Sequence, residues 1–569
     1  MSRKFEEVMD EGEEMQLTGA KIIMECLIEQ KVETIFGYPG GQIMPLYDAL
    51  YDYQDRVKHV LTSHEQGATH AADGYARSTG KVGVCFATSG PGATNTVTGI
   101  ATAYMDSSPM VIITGQVPIS LLGKDSFQEV DIVGVALPIT KHSFFCRTVD
   151  EIAVSIRKAF KIAMSGRPGP VLVDVPKNLM LELGEYVVTA CQQADPLESV
   201  DAHLAKEIAE EINEAKRPVM IAGGGVVISE ACKELSDLAE KANIPVITTL
   251  MSLGSFDRRN PLSLGMLGMH GEKEANLATH NSDLIIAIGT RFSDRVIGDA
   301  SRFAKGAKII HIDIDPAEIG KNMRFDISMK SDVKMALEAI LPNVHEATRG
   351  EWLEKVESYK QKDQRKQEKL DPESMICVLN RMLGEDVIVA TDVGQHQMWT
   401  AQKWMFRKPR TFITSGGLGT MGFGLGAAIG AQIGNPGKQV VLITGDGSFR
   451  MNCNELATVA AQNLPIIVVV VKNHTLGMVR QWQKLFFDKR YSSTDLPDVI
   501  DYEKLADAFG LTGNGYLVRD IKALETAVEK AKASGKGSVI ACEIFVDENV
   551  WPIVPPGEAI NNQVVSEEA

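Results

Sequence analysis

The chain has 569 residues, 44% of them hydrophobic, 6% aromatic and 23% charged, with 50 glycines; this is the composition of a soluble globular protein, too long for a single core at roughly 100 to 200 residues per domain. A formal charge of -16 offers no basic field to a phosphate backbone, so nucleic acid is not an expected partner and acidic metabolites must be met by local cations. The cysteines Cys26, Cys85, Cys146, Cys191, Cys232, Cys377, Cys453 and Cys542 are dispersed without C-x-x-C spacing, which sets aside a zinc ribbon or disulfide scaffold and suits a reducing cytoplasm.

The acidic start, with Glu6, Glu7, Asp10, Glu11, Glu13 and Glu14, reads as neither a signal nor a transit peptide. Short apolar runs follow at residues 82–86, 110–114, 171–175, 284–288, 309–312, 440–443 and 466–471. Alternating with helical patterns, they predict an α/β protein whose mainly parallel, buried sheets are flanked by helices. None approaches the roughly 20 apolar residues of a membrane span, so no membrane association is expected. Polar stretches at 192–199 and 351–369 read as a linker and a solvated helix or linker. They place three domains at 15–185, 200–345 and 370–550, and no short repeat is visible.

In chain order, the first chemical motif is His64-Glu65-Gln66-Gly67-Ala68, between the run 57–61 and a helical pattern reaching Arg77. On residue chemistry alone Glu65 is either a carboxylate favoured by a helix dipole or a partly buried proton partner. His64 and His70 lack the i, i+4 spacing of a zinc helix. The turn Gly223-Gly224-Gly225 and the segment His311-Ile312-Asp313-Ile314-Asp315-Pro316 are compatible with a dinucleotide but are shared by α/β domains that bind none. Residues 415–424 contain a literal G-x-G-x-x-G at Gly417, Gly419 and Gly422; without an acidic ribose ligand about 20 residues on, it does not predict a dinucleotide site. The run 440–444 enters Gly445-Asp446-Gly447-Ser448, and Asn473 follows the next run, 27 positions after Asp446. Adjacent strand ends can share a ligand. Asp446 and Asn473 offer the hard oxygens magnesium prefers, and the glycines let backbone amides approach a diphosphate. A turn capped by Asp446 is the plainer alternative.

G-D-G-S with its downstream asparagine resembles the thiamine-diphosphate decarboxylase and carboligase superfamily. The resemblance implies that Asp446, Asn473 and the carbonyl of Thr475 hold magnesium, and that Glu65 hydrogen-bonds the aminopyrimidine of thiamine diphosphate and promotes loss of the thiazolium proton. It further implies cofactor contacts from Gly445, Gly447 and Ser448, from Gln395 and His396 in Val393-Gly394-Gln395-His396, and from Gly37 and Pro39. Met421 matches the bulky residue that bends the cofactor, although core packing is the usual role of methionine. Lys472 stands where the family often has a first asparagine, and Gly426 where it commonly has proline.

Over residues 16 to 560 the chain is most similar to the acetohydroxyacid synthase (acetolactate synthase) large-subunit family. Phe36 to Gly41, Thr114-Gly115-Gln116-Val117-Pro118, Gly166-Arg167-Pro168-Gly169-Pro170, the stretch 264–271 and the stretch 551–556 carry the likeness. Arg295 in Arg291-Phe292-Ser293-Asp294-Arg295 and Trp482 in Gly477-Met478-Val479-Arg480-Gln481-Trp482-Gln483 single out this member. Alone, each would be an ion-paired surface arginine and a core ring. The resemblance gives both, with Met269, to the second substrate: arginine for a ketoacid carboxylate and indole for the extra methyl of 2-ketobutyrate. Ser293 replaces a usual aspartate. Phe127, Gln128 and Lys177 would line the substrate entrance, and Arg167, Gly223, Gly224, Arg291 and Asp313 would hold a structural FAD. The implied activity decarboxylates pyruvate and adds the hydroxyethyl unit to pyruvate or 2-ketobutyrate, giving 2-acetolactate or 2-aceto-2-hydroxybutyrate in branched-chain amino-acid biosynthesis. A homodimer or larger assembly and a regulatory small subunit are the implied partners. Pyruvate oxidase, a catabolic FAD-free acetolactate synthase and a non-catalytic nucleotide-binding homologue are the alternatives.

Overall fold

The computed structural model describes residues 12, 14–191, 193–360 and 369–566. Glu6, Glu7, Asp10, Glu11 and Glu13 of the acidic start, residue 192 of the first polar stretch and residues 361–368 of the second lie outside the described residues. The chain divides into two compact units, residues 1–195 with 417–436 and 452–466, and residues 196–416 with 437–451 and 467–569.

The first unit contains a six-stranded parallel sheet in the order Lys58–Leu61, Thr34–Gly37, Gly83–Ala87, Met110–Gln116, Pro170–Pro176, His142–Phe145. Numbered along the chain, the strand order is 2-1-3-4-6-5. The strands Gly83–Ala87, Met110–Gln116 and Pro170–Pro176 are buried from end to end, as strands covered on both faces must be. Ile152, Ile156 and Phe160 recur on one face of the helix Asp150–Met164, and they pack with Val111, Val171 and Val173 of the sheet. Glu14–Thr18 and Leu183–Val187 form a separate antiparallel pair.

A second layer of this unit is built on the helix Glu65–Thr79. His64 accepts the Gln66 N–H on its ring nitrogen at the helix start, and Gly80 ends the helix at φ 78°, a left-handed position suited to glycine. Small residues let this helix cross Gly424–Gly434 backbone to backbone. A Cβ on Gly74 would lie 2.1 Å from the Ala427 carbonyl oxygen, one on Gly430 1.8 Å from that of Ala71, and one on Gly426 2.7 Å from the His70 Cβ. Gly426 is therefore where the crossing needs it.

The second unit holds two further six-stranded parallel sheets. One runs Ser263–Met266, Val246–Thr248, Pro218–Ala222, Leu284–Ile288, Lys308–Asp313, Ile327–Lys330, which is 3-2-1-4-5-6 in chain order, the doubly wound arrangement of dinucleotide-binding domains. The other runs Phe412–Ile413, Ile388–Thr391, Val440–Gly445, Ile467–Lys472, Ser538–Glu543, Gly515–Val518. Its order is 2-1-3-4-6-5, the same as in the first unit.

The expected α/β class and all seven expected strands are present, each within two residues of its apolar run. No helix among the described residues is long and apolar enough to cross a membrane. The eight cysteines are free thiols, with Cys26, Cys85, Cys146 and Cys542 buried.

Candidate active site

In an open parallel sheet a ligand sits beyond the carboxyl ends of the strands, where the connections diverge to opposite sides. In the last sheet that switch point lies between Ile388–Thr391 and Val440–Gly445. Val440–Gly445 turns directly into the helix Asp446–Asn452, so the plainer alternative, a strand-to-helix turn, describes the local geometry while leaving Asp446 at the mouth of the switch point.

Asp446 is 2% exposed. Its Oδ1 accepts the Gly447 N–H at 3.0 Å and its Oδ2 the His474 N–H at 2.8 Å. Burial raises its pKa above the ordinary carboxylate value, opposed by these amides and by Arg450 and His474. A carboxylate held in its charged form there gains from a cation. The neighbouring strand Ile467–Lys472 delivers Asn473, whose Oδ1 accepts the Thr475 N–H at 3.2 Å. Between them His474 has φ 59°, a left-handed conformation uncommon for a side chain with Cβ, fixed by its bond to Asp446. The donor set of one carboxylate, one amide and one main-chain carbonyl at Thr475 is oxygen-rich, as magnesium requires. No cluster of three or more His, Cys, Asp or Glu suited to a metal occurs among the described residues.

Lys472, the departure beside Asn473, does not enter this set. Strand alternation sends its side chain the other way, where its Nζ lies 3.0 Å from the Asp498 carboxylate. The start of the helix Gly477–Phe486 closes over Asn473 instead: a Cβ on Gly477 would lie 2.6 Å from the Asn473 amide nitrogen and 2.0 Å from Oε1 of Gln395.

On the other side of the switch point, Gln395 and His396 open the helix Gln395–Lys403. A Cβ on Gly445 would stand 3.0 Å from Nδ1 of the His396 ring, so the two segments meet closely and a side chain here would press on that ring. Burial lowers the His396 pKa to about 3, keeping it neutral. Its Nε2 is buried without a hydrogen-bond partner among the described residues, an orphaned polar atom of the kind a ligand oxygen satisfies. Ser448 is buried, and its hydroxyl donates to the carbonyl of Val393, three residues before His396, at 3.2 Å.

The second substrate's expected residues converge in the same unit. The Arg295 guanidinium carbon stands 5.5 Å from the Trp482 ring centroid, within cation–π range, and Nη1 lies 3.6 Å from the sulfur of Met269. Arg295 is 58% exposed at its side chain and its ion pair with Asp294 is long, at 3.7 Å, so its charge is available to a ligand. Trp482 is half-buried rather than a core ring, and its indole N–H has no hydrogen-bond partner among the described residues. Ser293 serves as the entry residue of the short helix Asp294–Ile297 that presents Arg295.

In the first unit Glu65 is buried at the start of its helix, and Asn95 donates to its Oε2 at 3.0 Å. Its Oε1 faces Gly92, where an added Cβ would stand 3.1 Å away; the missing side chain keeps that oxygen approachable. His70 is fully buried with a pKa lowered to about 3 by burial, packed edge-on against Phe423, and is no metal ligand. Gly37 ends the strand Thr34–Gly37 and exposed Pro39 lies just past it, at this sheet's own switch point. Met421 is half-buried in the loop before Gly424–Gly434; the glycine run there forms that loop, with Gly419 and Gly422 at φ 72° and 84°. Phe127 is 84% exposed, Gln128 takes φ 64°, and Lys177 starts the helix after Pro170–Pro176.

Of the expected flavin contacts, Gly223, Gly224 and Arg291 follow two adjacent strands of the 3-2-1-4-5-6 sheet, and Asp313 ends the next one. Gly223 and Gly289 meet at its switch point, where a Cβ on Gly223 would lie 2.1 Å from the Gly289 carbonyl oxygen. Buried Asp313 accepts the Asp315 N–H at 2.9 Å. Arg167 belongs to the first unit, where Nε donates to the Ser107 hydroxyl at 2.8 Å. The residues that sequence reasoning left without a role are Asn95, which steadies Glu65, and Gln481, whose buried amide is one position from Trp482. A glutamine on the buried side of an amphipathic helix was the available signal for the second.

Comparison with known proteins places nearly the whole chain in one family. Residues 17–135, 205–340 and 392–542 match the N-terminal TPP binding, central and C-terminal TPP binding domains of thiamine pyrophosphate enzymes. The acetolactate synthase large subunit of Parasynechococcus marenigrum is 46% identical over 98% of this chain and 92% of its own length. The probable acetolactate synthase large subunit of Methanocaldococcus jannaschii is 46% identical over 96% and 95%, and the acetolactate synthase isozyme 2 large subunit of Escherichia coli 44% over 96% and 99%. The chain is a thiamine-diphosphate-dependent enzyme and belongs to the acetolactate synthase large-subunit family.

Proposed function

We propose that the protein condenses two 2-ketoacids, decarboxylating pyruvate and adding the hydroxyethyl unit to pyruvate or 2-ketobutyrate to give 2-acetolactate or 2-aceto-2-hydroxybutyrate. The observation that carries this reading is the grouping of Arg295 with Trp482 and Met269, both in direct contact with its guanidinium. A guanidinium recognises the carboxylate of the acceptor, while indole and thioether supply apolar contact for a short alkyl tail.

Bound thiamine diphosphate supplies the electron sink for decarboxylation, magnesium neutralises its diphosphate, and FAD has a structural role. Asp446, Asn473 and the Thr475 carbonyl would hold the magnesium; the Gly445 and Gly447 turn, Ser448, Gln395 and the unsatisfied Nε2 of His396 would receive the diphosphate end. Glu65, oriented by Asn95, would exchange a proton through Oε1 with the aminopyrimidine, with Gly37, Pro39 and Met421 as further contacts. Phe127, Gln128 and Lys177 would guide the ketoacid inward. Gly223, Gly224, Arg291 and Asp313, with Arg167, would hold FAD; the doubly wound strand order and the glycine pair at its switch point support that site.

Three domains at 15–185, 200–345 and 370–550 organise these roles in our reading, supported by the three separate sheets. A homodimer at least, a regulatory small subunit and a cytoplasmic location complete it; the relatives' designation as large subunits supports the partner, and dispersed free cysteines support the compartment. Incubating purified protein with thiamine diphosphate, magnesium, FAD and pyruvate, with and without 2-ketobutyrate, tests the activity. Both acetohydroxyacids should appear by mass spectrometry. Acetaldehyde alone, acetyl phosphate or no carbon product would overturn the proposal.

A further inference from the structure

Gln481 is 1% exposed on the helix Gly477–Phe486, in a place an apolar residue could occupy. Every polar atom of its side chain is used. Oε1 accepts from the Val550 N–H at 2.9 Å and from Nε2 of Gln395 at 3.0 Å, and Nε2 donates to the Val550 carbonyl at 3.0 Å. The paired bonds to Val550 imitate a strand partner for an otherwise unpaired backbone. Gln395 continues the chain of contacts, donating also to the Glu548 carbonyl at 2.9 Å and accepting from Nδ2 of Asn473 at 3.4 Å.

The far end of the same backbone segment reaches the acceptor residues. Val554 donates its N–H to the Met269 carbonyl at 2.8 Å, and the Met269 N–H donates to the Arg295 carbonyl at 2.8 Å. Residues 550–554 are thus fixed by Gln481 at one end and by Met269 at the other. Trp482 is covalently next to Gln481, and Arg295 lies over its ring. Buried amide networks of this kind fix one arrangement when fully satisfied and are costly when a member is withdrawn.

We infer that Gln481 is a positioning residue that sets the spacing between Trp482 and the Met269–Arg295 pair, and that it ties this spacing to the Gln395–Asn473 end of the cofactor clamp. The inference rests on the acceptor role proposed above for Trp482, Arg295 and Met269. It assigns Gln481 no contact with substrate. Its consequence is that acceptor choice and cofactor affinity share one side chain, whereas Trp482 governs acceptor choice alone.

The test compares Gln481→Leu, Gln481→Glu and Trp482→Leu in the full chain. Competing pyruvate and 2-ketobutyrate give the product ratio, and quenching of intrinsic fluorescence by thiamine diphosphate with magnesium gives cofactor affinity without turnover. Gln481→Leu should lower the preference for 2-ketobutyrate by about tenfold and weaken thiamine diphosphate binding several-fold. Trp482→Leu should change the ratio and leave that affinity in place. Gln481→Glu keeps both accepted bonds and loses the donated one, so it should fall between wild type and Gln481→Leu on both measures; it carries the test if Gln481→Leu does not fold. In the double variant the ratio should be no worse than in Trp482→Leu, since coupled residues are non-additive. A folded Gln481 variant that moves neither quantity, or only one, overturns the inference. If instead Trp482→Leu leaves the wild-type ratio unchanged, the acceptor reading itself has failed, which the wild-type and Trp482→Leu measurements reveal on their own.

Discussion

The first and last sheets are wired identically, 2-1-3-4-6-5, yet they bring different chemistry to corresponding places. After the second strand of the first sheet the chain enters a capped helix whose first residue is Glu65; after the second strand of the last it enters a glycine-rich loop and the helix Gly424–Gly434. After the third strand the roles reverse. The last sheet presents Asp446, while the first presents Thr88, Ser89 and Gly90 with no carboxylate. Topology supplies the location, the carboxyl ends beside a switch point, and local sequence decides whether that location carries Glu65, the proposed proton partner, or Asp446, the proposed cation ligand. The two helices that follow the second strands are also the pair that cross at Gly74 and Gly430.

This division of labour can be broken most severely at Asp446. Asp446→Ala should reduce turnover to background and remove the magnesium requirement for thiamine diphosphate binding, read by fluorescence titration with and without the metal. Retained magnesium-dependent binding would contradict the clamp. Glu65→Gln should instead keep the cofactor and lose about 10²- to 10⁴-fold in turnover, the usual range for a general acid–base residue. Cofactor C2–H exchange followed by NMR should slow in step. Equal loss of binding in both variants would erase the distinction between the two sheets.

The helix crossing comes next. Gly430→Leu drives a side chain into the Ala71 backbone and should cost about 3 kcal/mol, visible as a lower urea midpoint of the first unfolding transition. An unchanged midpoint would mean that the helices separate at little cost. Trp482→Leu is milder, worth about 1 to 3 kcal/mol in acceptor discrimination, and should appear as loss of any preference for 2-ketobutyrate in competition assays.

Much of the clamp was legible because its parts follow apolar runs directly: strand periodicity locates Asp446 and Asn473 at adjacent strand ends. Glu65 was legible in sequence as a carboxylate at the start of a helical pattern, and its cofactor role only through family resemblance. Other features were hidden for physical reasons. The common strand order depends on long-range pairing, to which local periodicity is blind. Arg295 and Trp482 are far apart in the chain, so their meeting was available only through family resemblance. Gln481 acts on backbone atoms of residues 548–550 through its neighbour Gln395 and directly, and backbone partners leave no residue-type signature. The crossing of Glu65–Thr79 with Gly424–Gly434 is carried by Gly74, Gly426 and Gly430, and nothing local in the sequence names the helix that a small residue faces.

Lys472 provides the smallest and sharpest probe of the comparison. As a departure from the paired asparagines it stands beside a proposed metal ligand, and sequence proximity suggests a disturbed site. The Lys472 side chain is only 8% exposed, and its Nζ pairs with Asp498, which is 56% exposed at its side chain; a pair with one partner open to water contributes about 0–1 kcal/mol. Lys472→Asn should therefore shift the urea midpoint only slightly, and it should leave half-saturating magnesium within about twofold of wild type, since removing a charge already neutralised by Asp498 does not alter the donors proposed at Asp446, Asn473 and Thr475. A magnesium requirement changed by about tenfold or more would place Lys472 in the clamp's electrostatics and make the neighbouring strand residue, rather than the strand end alone, part of what distinguishes the last sheet from the first.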